Sequence, residues 1–308
     1  MPQMTIQMDG AGAAGVNGNF VIASVSGGKD SAALALHLKE LEIPHERIFM
    51  DTGWEHPAHY EYLRGPLTAA LGPITELRGE LGFVELAEKK GLFPSRLKRF
   101  CTTELKVIPA IKYIRARQDE IGDVVNAVGI RRQESNARSK MLEWEWSDDF
   151  DCYVWRPLVT WTLEDVLAIH RRHGLPLNPL YAMGAGRVGC WPCIHAGKRE
   201  LAVVAREDPD RIVQIRLLER DLTARGHARD LEKGREPVPR TMFWYHQGKK
   251  HIPIPIDDAV AWANSKRGEW RPATAGDGCA RLGMCSVDDD DDAPTTTTTT
   301  TPGDPDVR

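Results

Sequence analysis

No stretch of the sequence is apolar for the length of a bilayer span. Its longest hydrophobic runs are broken by charge or glycine within a few residues, which argues against a helical membrane protein and against a membrane partner. Nor does a basic segment followed by an apolar one stand near the start, so no secretory leader is expected and the chain reads as cytoplasmic. It has no internal repeat. It also has no large excess of charge of either sign: the net −4 arises in residues 288–308, where seven aspartates and one arginine give −6 and leave +2 on the rest. So near-neutral a body makes no global electrostatic case for a nucleic-acid partner, although a local basic patch stays open. Cysteines number only six, and in a cytosolic setting such clusters bind metal or do redox chemistry more often than they form disulfides.

With 42% hydrophobic residues in 308, the chain has material for a substantial core. Residues 1–18, rich in glycine and alanine, read as a flexible lead. Residues 288–308, an aspartate run followed by a threonine run, lack the apolar surface to offset chain entropy and are expected to be disordered. Between them, apolar runs alternate with helical patterns. Residues 20–25 (FVIASV), 47–50 (RIFM) and 124–128 (VVNAV) suit buried strands, a third strand is expected from about residue 76, and 153–158 (YVWRPL) reads as a late one. Helices are predicted over 31–41, 102–117 and 198–219, with another opening at Thr162 in a capping pattern. Strand–helix alternation with glycine at strand ends predicts an α/β, doubly wound parallel sheet over 19–175. From 176 to 287 prolines, glycines and paired cysteines replace the alternation, and a small cysteine-bearing module is expected there.

Three segments follow strands and should share the crevice beyond the carboxyl edge of such a sheet. In Ser26-Gly27-Gly28-Lys29-Asp30-Ser31 the glycines allow a sharp turn and close approach to an anion, and the next helix aims its free N–H groups and dipole at the same point. Lys29 adds charge, and Ser26 and Ser31 add hydroxyls. Asp30, a carboxylate beside a phosphate site, calls for a reason: a magnesium ligand or a partner that orients the loop. Asp51-Thr52-Gly53 ends the second strand. In residues 129–138 (GIRRQESNAR), Arg131 and Arg138 suit bidentate grip on phosphate or sulfate, and Glu134 suits fixing an arginine or contacting a ribose.

The first segment meets every fixed position of the S-G-G-x-D-S loop of the PP-loop ATP pyrophosphatase superfamily. Together with Asp51-Thr52-Gly53, the G-x-R-x-x-E-S-x-x-R element at 129–138 and Arg99-Phe100-Cys101-Thr102-Thr103-Glu104-Leu105-Lys106, it resembles the phosphoadenosine phosphosulfate (PAPS) reductase family of that superfamily. Asn178-Pro179-Leu180-Tyr181 ahead of Arg187-Val188-Gly189-Cys190-Trp191-Pro192-Cys193 extends the resemblance to about residue 205. It implies an adenine nucleotide held by Ser26, Gly27, Gly28, Lys29, Asp30, Ser31, Asp51, Thr52, Gly129, Arg131, Glu134, Ser135 and Arg138. Lys29, Asp30, Arg131 and Cys101 are implied as the catalytic set. Two departures matter. PAPS reductases proper usually lack the loop lysine and end in a glutamate-cysteine-glycine segment; this chain keeps Lys29 and reads Gly283-Met284-Cys285-Ser286. Both favour ATP, cleaved with Mg²⁺ between its α- and β-phosphates, and sulfur activation or transfer of the kind performed by the DNA phosphorothioation proteins of the family.

Cys190 and Cys193 form a short chelating pair, and Cys279 and Cys285 a second, which is compatible with zinc or with a [4Fe–4S] cluster. The resemblance favours the cluster, held by Cys101, Cys190, Cys193 and Cys285, with Cys279 as the substitute for Cys101. A Cys101 outside the ligand set would suit a persulfide carrier, and Cys152 reads as core. Trp144, Trp146, Trp155 and Trp161 suit a core or junction better than base stacking. A sulfur donor or carrier protein, and nucleic acid as acceptor, are the conceivable partners. Two other functions are carried forward: a true PAPS or adenylylsulfate reductase releasing sulfite, and a non-catalytic nucleotide- or DNA-associated module with structural zinc.

Overall fold

The computed structural model describes residues 6–7, 15–16, 18–95, 97–247 and 250–265. Most of the predicted flexible lead, and all of 266–308 with Cys279, Cys285 and the acidic and threonine-rich tail, lie outside the described residues. The strands are β1 (Ile6–Gln7), β2 (Gly15–Val16), β3 (Phe20–Ser24), β4 (His45–Asp51), β5 (Thr75–Arg78), β6 (Val124–Val128), β7 (Trp144–Ser147), β8 (Cys152–Trp155), β9 (Phe243–Gln247) and β10 (Lys250–Ile254).

Six of them form one sheet in the order β5-β4-β3-β6-β8-β7. All neighbours are parallel except β7 and β8, whose Trp144↔Trp155 register is antiparallel. The expected doubly wound parallel sheet is there, with one antiparallel strand added at that edge. Residues 148–151 are too few for a crossover, so the chain turns straight back, with Asp151 in the left-handed region at φ 53°. The late strand also ends at Trp155 rather than at 158: the Arg156 N–H turns to the Glu143 carbonyl at 2.8 Å, and Pro157 has no N–H to offer.

Alternation along the strands feeds two cores. Val21 and Ala23 face the helix Lys29–Glu40, which packs against the helix Leu163–Arg172; Ile22 faces Ala110 and Ile114 of the helix Ile108–Ile121, together with Ile48, Val124 and Val154. Helices on both faces are what the predicted doubly wound class requires. The helix expected from 31 starts earlier, at Lys29, and the one expected over 102–117 runs on to Ile121 through a π-turn at Thr103–Val107. Thr162 caps its helix as predicted, its Oγ1 accepting from the Asp165 N–H at 3.2 Å. The helix expected over 198–219 is two helices, Lys198–Glu207 and Pro209–Glu232, divided at Asp208 because Pro209 starts a new first turn. A third core joins Trp54, Phe83 and Leu105 to Leu180, Trp191, Ile215, Met242 and Ile256. There the buried Glu219 accepts the N–H groups of Met242 at 3.0 Å and Ile256 at 2.9 Å, tying together the segments on either side of the β9–β10 hairpin.

Candidate functional site

The chain leaves β3 for β4 on one side and later places β6 on the other, so the carboxyl ends of β3 and β6 mark the point where strand order reverses. The loop 25–31 lies there. Gly27 adopts φ 72°, open to glycine at little cost. The Ser31 hydroxyl donates to the Gly28 carbonyl at 3.1 Å; it therefore accepts from the Ser26 hydroxyl at 3.1 Å and from the Ser26 N–H at 3.0 Å. The Lys29 N–H donates to the Tyr181 hydroxyl at 3.1 Å. The N–H groups of Gly27, Gly28, Asp30 and Ser31 have no acceptor among the described residues. A turn of unpaired amides at the head of a twelve-residue helix is an anion cradle.

Two ion pairs fix the charged side chains of the loop. Asp30 Oδ1 accepts from Arg131 Nε at 2.6 Å, and Asp30 Oδ2 lies 3.1 Å from Lys29 Nζ. Of the two roles considered for Asp30, the geometry supplies the loop-orienting one. Burial works against the Lys29 charge, but Tyr181 and Asp30 outweigh it and hold the pKa above its ordinary value. The ammonium also stands over the Tyr181 ring, 5.3 Å from its centre. Gly129 is required by close approach: a Cβ there would sit 2.7 Å from the Asp30 carbonyl oxygen. Glu134 turns back on its own segment, accepting from the Arg131 N–H at 2.8 Å and pairing with Arg138 Nη1 at 2.5 Å, and the Ser135 hydroxyl caps Arg138 N. Arg131 Nη2 and Arg138 Nε are buried with no hydrogen-bond partner among the described residues.

At the end of β4, Asp51 and Glu55 share the Tyr60 hydroxyl at 2.6 and 2.9 Å. Glu55, 4% exposed, also accepts from the Thr52 hydroxyl at 2.7 Å and from the N–H groups of Trp54 and Thr52, so its charge is compensated by hydrogen bonds. The same turn reaches the cysteines. Glu55 and Cys190 form a backbone bridge, the Trp191 N–H donates to the Trp54 carbonyl at 2.8 Å, and Trp54 Nε1 donates to the Pro192 carbonyl at 3.0 Å. Cys190 Sγ is 3.8 Å from Thr52 Oγ1.

Cys101 and Cys190 pack against one apolar cluster, and burial, reinforced by Cys190 and Cys193, pushes the Cys101 thiol up to about 12. Burial likewise raises Cys190, with Lys106 opposing. Lys106 itself is held above its ordinary value because Cys190, Glu55 and the other thiols outweigh its burial; Arg187 is raised in the same way by Cys193 and Glu200. Three of the expected ligands thus gather with two cations facing them, a donor set and counter-charge that suit an anionic iron–thiolate centre. Among the described residues, however, no group of three or more His, Cys, Asp or Glu side chains converges tightly enough to hold a metal ion. Cys279 and Cys285, the other candidates, lie outside the described residues. Cys152 is buried in the core, as read from sequence. Trp155 is buried and stacked on Trp144, while Trp146 is half exposed.

Sequence reasoning assigned no role to His59, His170, Asn178 or Tyr181. The last three reach the loop from behind: His170 Nε2 meets the Lys29 carbonyl at 2.9 Å, and Asn178 Nδ2 donates to the Gly27 carbonyl at 3.3 Å. Asn178 and Tyr181 stood in a family-like segment, but nothing in their spacing tied them to a loop about 150 positions earlier.

Comparison with known proteins bears on this arrangement. A family model described as phosphoadenosine phosphosulfate reductase domain matches residues 20–196. An uncharacterized 37.8 kDa protein of Escherichia phage 186 is 34% identical over 261 residues, covering 66% of this chain and 75% of that protein. The adenosine 5′-phosphosulfate reductase of Anoxybacillus flavithermus is 30% identical over 148 residues, 48% of this chain and 61% of that enzyme. Among solved structures, a phosphate complex of the PAPS reductase from Candida auris superposes with TM-score 0.43 at 22% identity, covering 56% of this chain and 81% of that one.

Proposed function

Because the chain belongs to the phosphoadenosine phosphosulfate reductase family, we propose that it is an enzyme that binds ATP in the crevice, cleaves it between the α- and β-phosphates and acts in sulfur activation or transfer. The observation that carries the reading is the intact loop: unpaired N–H groups of Gly27, Gly28, Asp30 and Ser31 beside a Lys29 ammonium held in place by Asp30. An acceptor oxygen attacks the α-phosphorus, the bond to the bridging oxygen breaks, and pyrophosphate leaves with that electron pair. The amides and Lys29 would stabilise the charge that develops on pyrophosphate, and a Mg²⁺ ion bound with the nucleotide would supply further charge neutralisation there. Arg131 and Arg138, anchored by Asp30 and Glu134, set the opposite wall and hold the nucleotide. Cys101, Cys190 and Cys193, with a further cysteine, would hold a [4Fe–4S] cluster, which when bound would supply electron-rich sulfur and iron for managing sulfur. The backbone bridge from Glu55 keeps that cysteine segment next to Asp51 and Thr52.

The test is pyrophosphate release from ATP with an acceptor present. Activity in the wild type and its loss in Lys29→Ala are expected; failure of the wild type to bind any adenine nucleotide would sink the proposal. A second reading, sulfonucleotide reduction with release of sulfite, is favoured by the gathered thiols and by relatives named adenosine 5′-phosphosulfate reductase. It predicts thiol-dependent sulfite formation without ATP.

A further inference from the structure

We propose that His59 is a positioning residue for the phosphate loop: with Asn178 it latches the Gly27–Gly28 peptide so that the Gly28 N–H faces the bound phosphate. His59 lies in the helix Pro57–Tyr62 and has no exposed surface. The edge of its ring meets the left-handed glycine of the loop, since a Cβ on Gly27 would fall 2.4 Å from Cε1. Asn178 joins the two. Its Oδ1 accepts from the Leu180 N–H at 3.1 Å, which fixes the orientation of the amide. The two hydrogens of Nδ2 then go to the Gly27 carbonyl at 3.3 Å and to His59 Nδ1 at 3.0 Å. His59 Nδ1 is therefore an acceptor, and the ring is the neutral tautomer with its proton on Nε2.

The consequence lies in one peptide plane. In a trans peptide the C=O and the following N–H point in opposite directions. A Gly27 carbonyl drawn back toward Asn178 therefore turns the Gly28 N–H away from it, and that N–H is one of the unpaired amides of the cradle. The peptide lies between two glycines, so little else opposes its rotation. His59 contacts no ligand in this scheme; it acts through Asn178. The inference rests on the phosphate-binding reading of the loop and names what holds the loop in its binding conformation.

The experiment measures binding of inorganic pyrophosphate and of α,β-methylene-ATP by calorimetry, with the Gly28 amide resonance followed by NMR. His59→Phe keeps the ring but removes the acceptor, and Asn178→Leu removes the latch. Each should weaken binding of both probes by roughly fivefold or more, the worth of one hydrogen bond. Each should also diminish the probe-induced shift of the Gly28 amide, which a general loss of stability would not do selectively. The double variant should bind no more weakly than Asn178→Leu alone, because one latch is removed once. His59→Asn, whose Oδ1 takes the place of Nδ1, should bind within about twofold of wild type by the same bookkeeping, and it tests the idea even if His59→Phe does not fold. Wild type binding neither probe would overturn the phosphate site and the latch together. Wild type binding normally while His59→Phe and Asn178→Leu bind equally well, or His59→Asn falling as far as His59→Phe, would overturn the latch alone.

Discussion

Replacing Asp30 by leucine should destabilise the protein even in the absence of nucleotide. Arg131 is 1% exposed, its Nε is 2.6 Å from Asp30 Oδ1, and its Nη2 has no partner among the described residues. Removing the carboxylate leaves a buried guanidinium uncompensated, which typically costs about 3–5 kcal/mol. Against a total stability of about 5–15 kcal/mol, that is a large fraction. Asp30→Asn keeps an oxygen for Nε but no charge, and should cost less, about 1.5–3 kcal/mol, the worth of a hydrogen bond to a charged group. Urea denaturation is the assay, with the midpoint falling at unchanged slope. The decisive comparison is Asp30→Leu/Arg131→Met: the buried guanidinium is no longer left alone, and only the Lys29 ammonium loses its Asp30 partner, so the double variant should recover part of the stability lost by the first substitution. Single variants costing less than about 1 kcal/mol, or a double variant as unstable as the sum of the singles, would show the pair to be screened and the reasoning wrong.

Two other expectations are direct. Gly129→Ala sets a methyl 2.7 Å from the Asp30 carbonyl, a backbone atom that cannot swing aside; a loss of about 1–3 kcal/mol in urea denaturation and weakened nucleotide binding should follow. Burial, with Lys106 adding to it, holds the His59 pKa down at about 4. The unfolded chain therefore takes up a proton near pH 6.5 that the folded chain refuses, so stability is greatest above 6.5 and falls as pH drops toward 4, by about 3 kcal/mol in all. His59→Asn should flatten that part of the pH–stability profile, and an unchanged slope would refute the assignment.

What could be read in advance was local. The apolar run 20–25 followed by Ser26 and two glycines, and a helix behind them, announce a strand, a turn and an anion site through periodicity and backbone freedom alone; β3 and the loop stand where that logic puts them, and the helix starts two residues early, at Lys29. The neighbouring strand ends at Asp51 and Gly129 followed from the same rule, while the family came from the resemblance of the motifs at those positions. Illegible parts depend on separation. Asp30 and Arg131 meet across 101 positions, and a sequence gives no sign that an aspartate in a phosphate loop is there for an arginine. His59 sits in an amphipathic stretch indistinguishable from core. The antiparallel edge strand β7 went unread although WEWS alternates apolar with polar, and the burial does not follow that pattern: Trp146 is left exposed and Ser147 is buried. The division at Asp208 was signalled by Pro209 and could have been read.

The backbone bridge between Glu55 and Cys190 has a mechanical meaning. Side-chain contacts let two segments slide by small rotamer changes, whereas here the sheet end and the cysteine turn are joined through the main chain, the Trp191 N–H on the Trp54 carbonyl, with the Trp54 indole on the Pro192 carbonyl adding a side-chain bond. The spacing from the end of β4 to the Cys190 turn is then a property of the scaffold, like the gap of a caliper locked at one setting. On the proposed reading, an acceptor that reacts beside this turn would have to fit that gap on arrival, and substitutions that alter which acceptor fits would belong on the segments bordering the gap rather than on the two jaws.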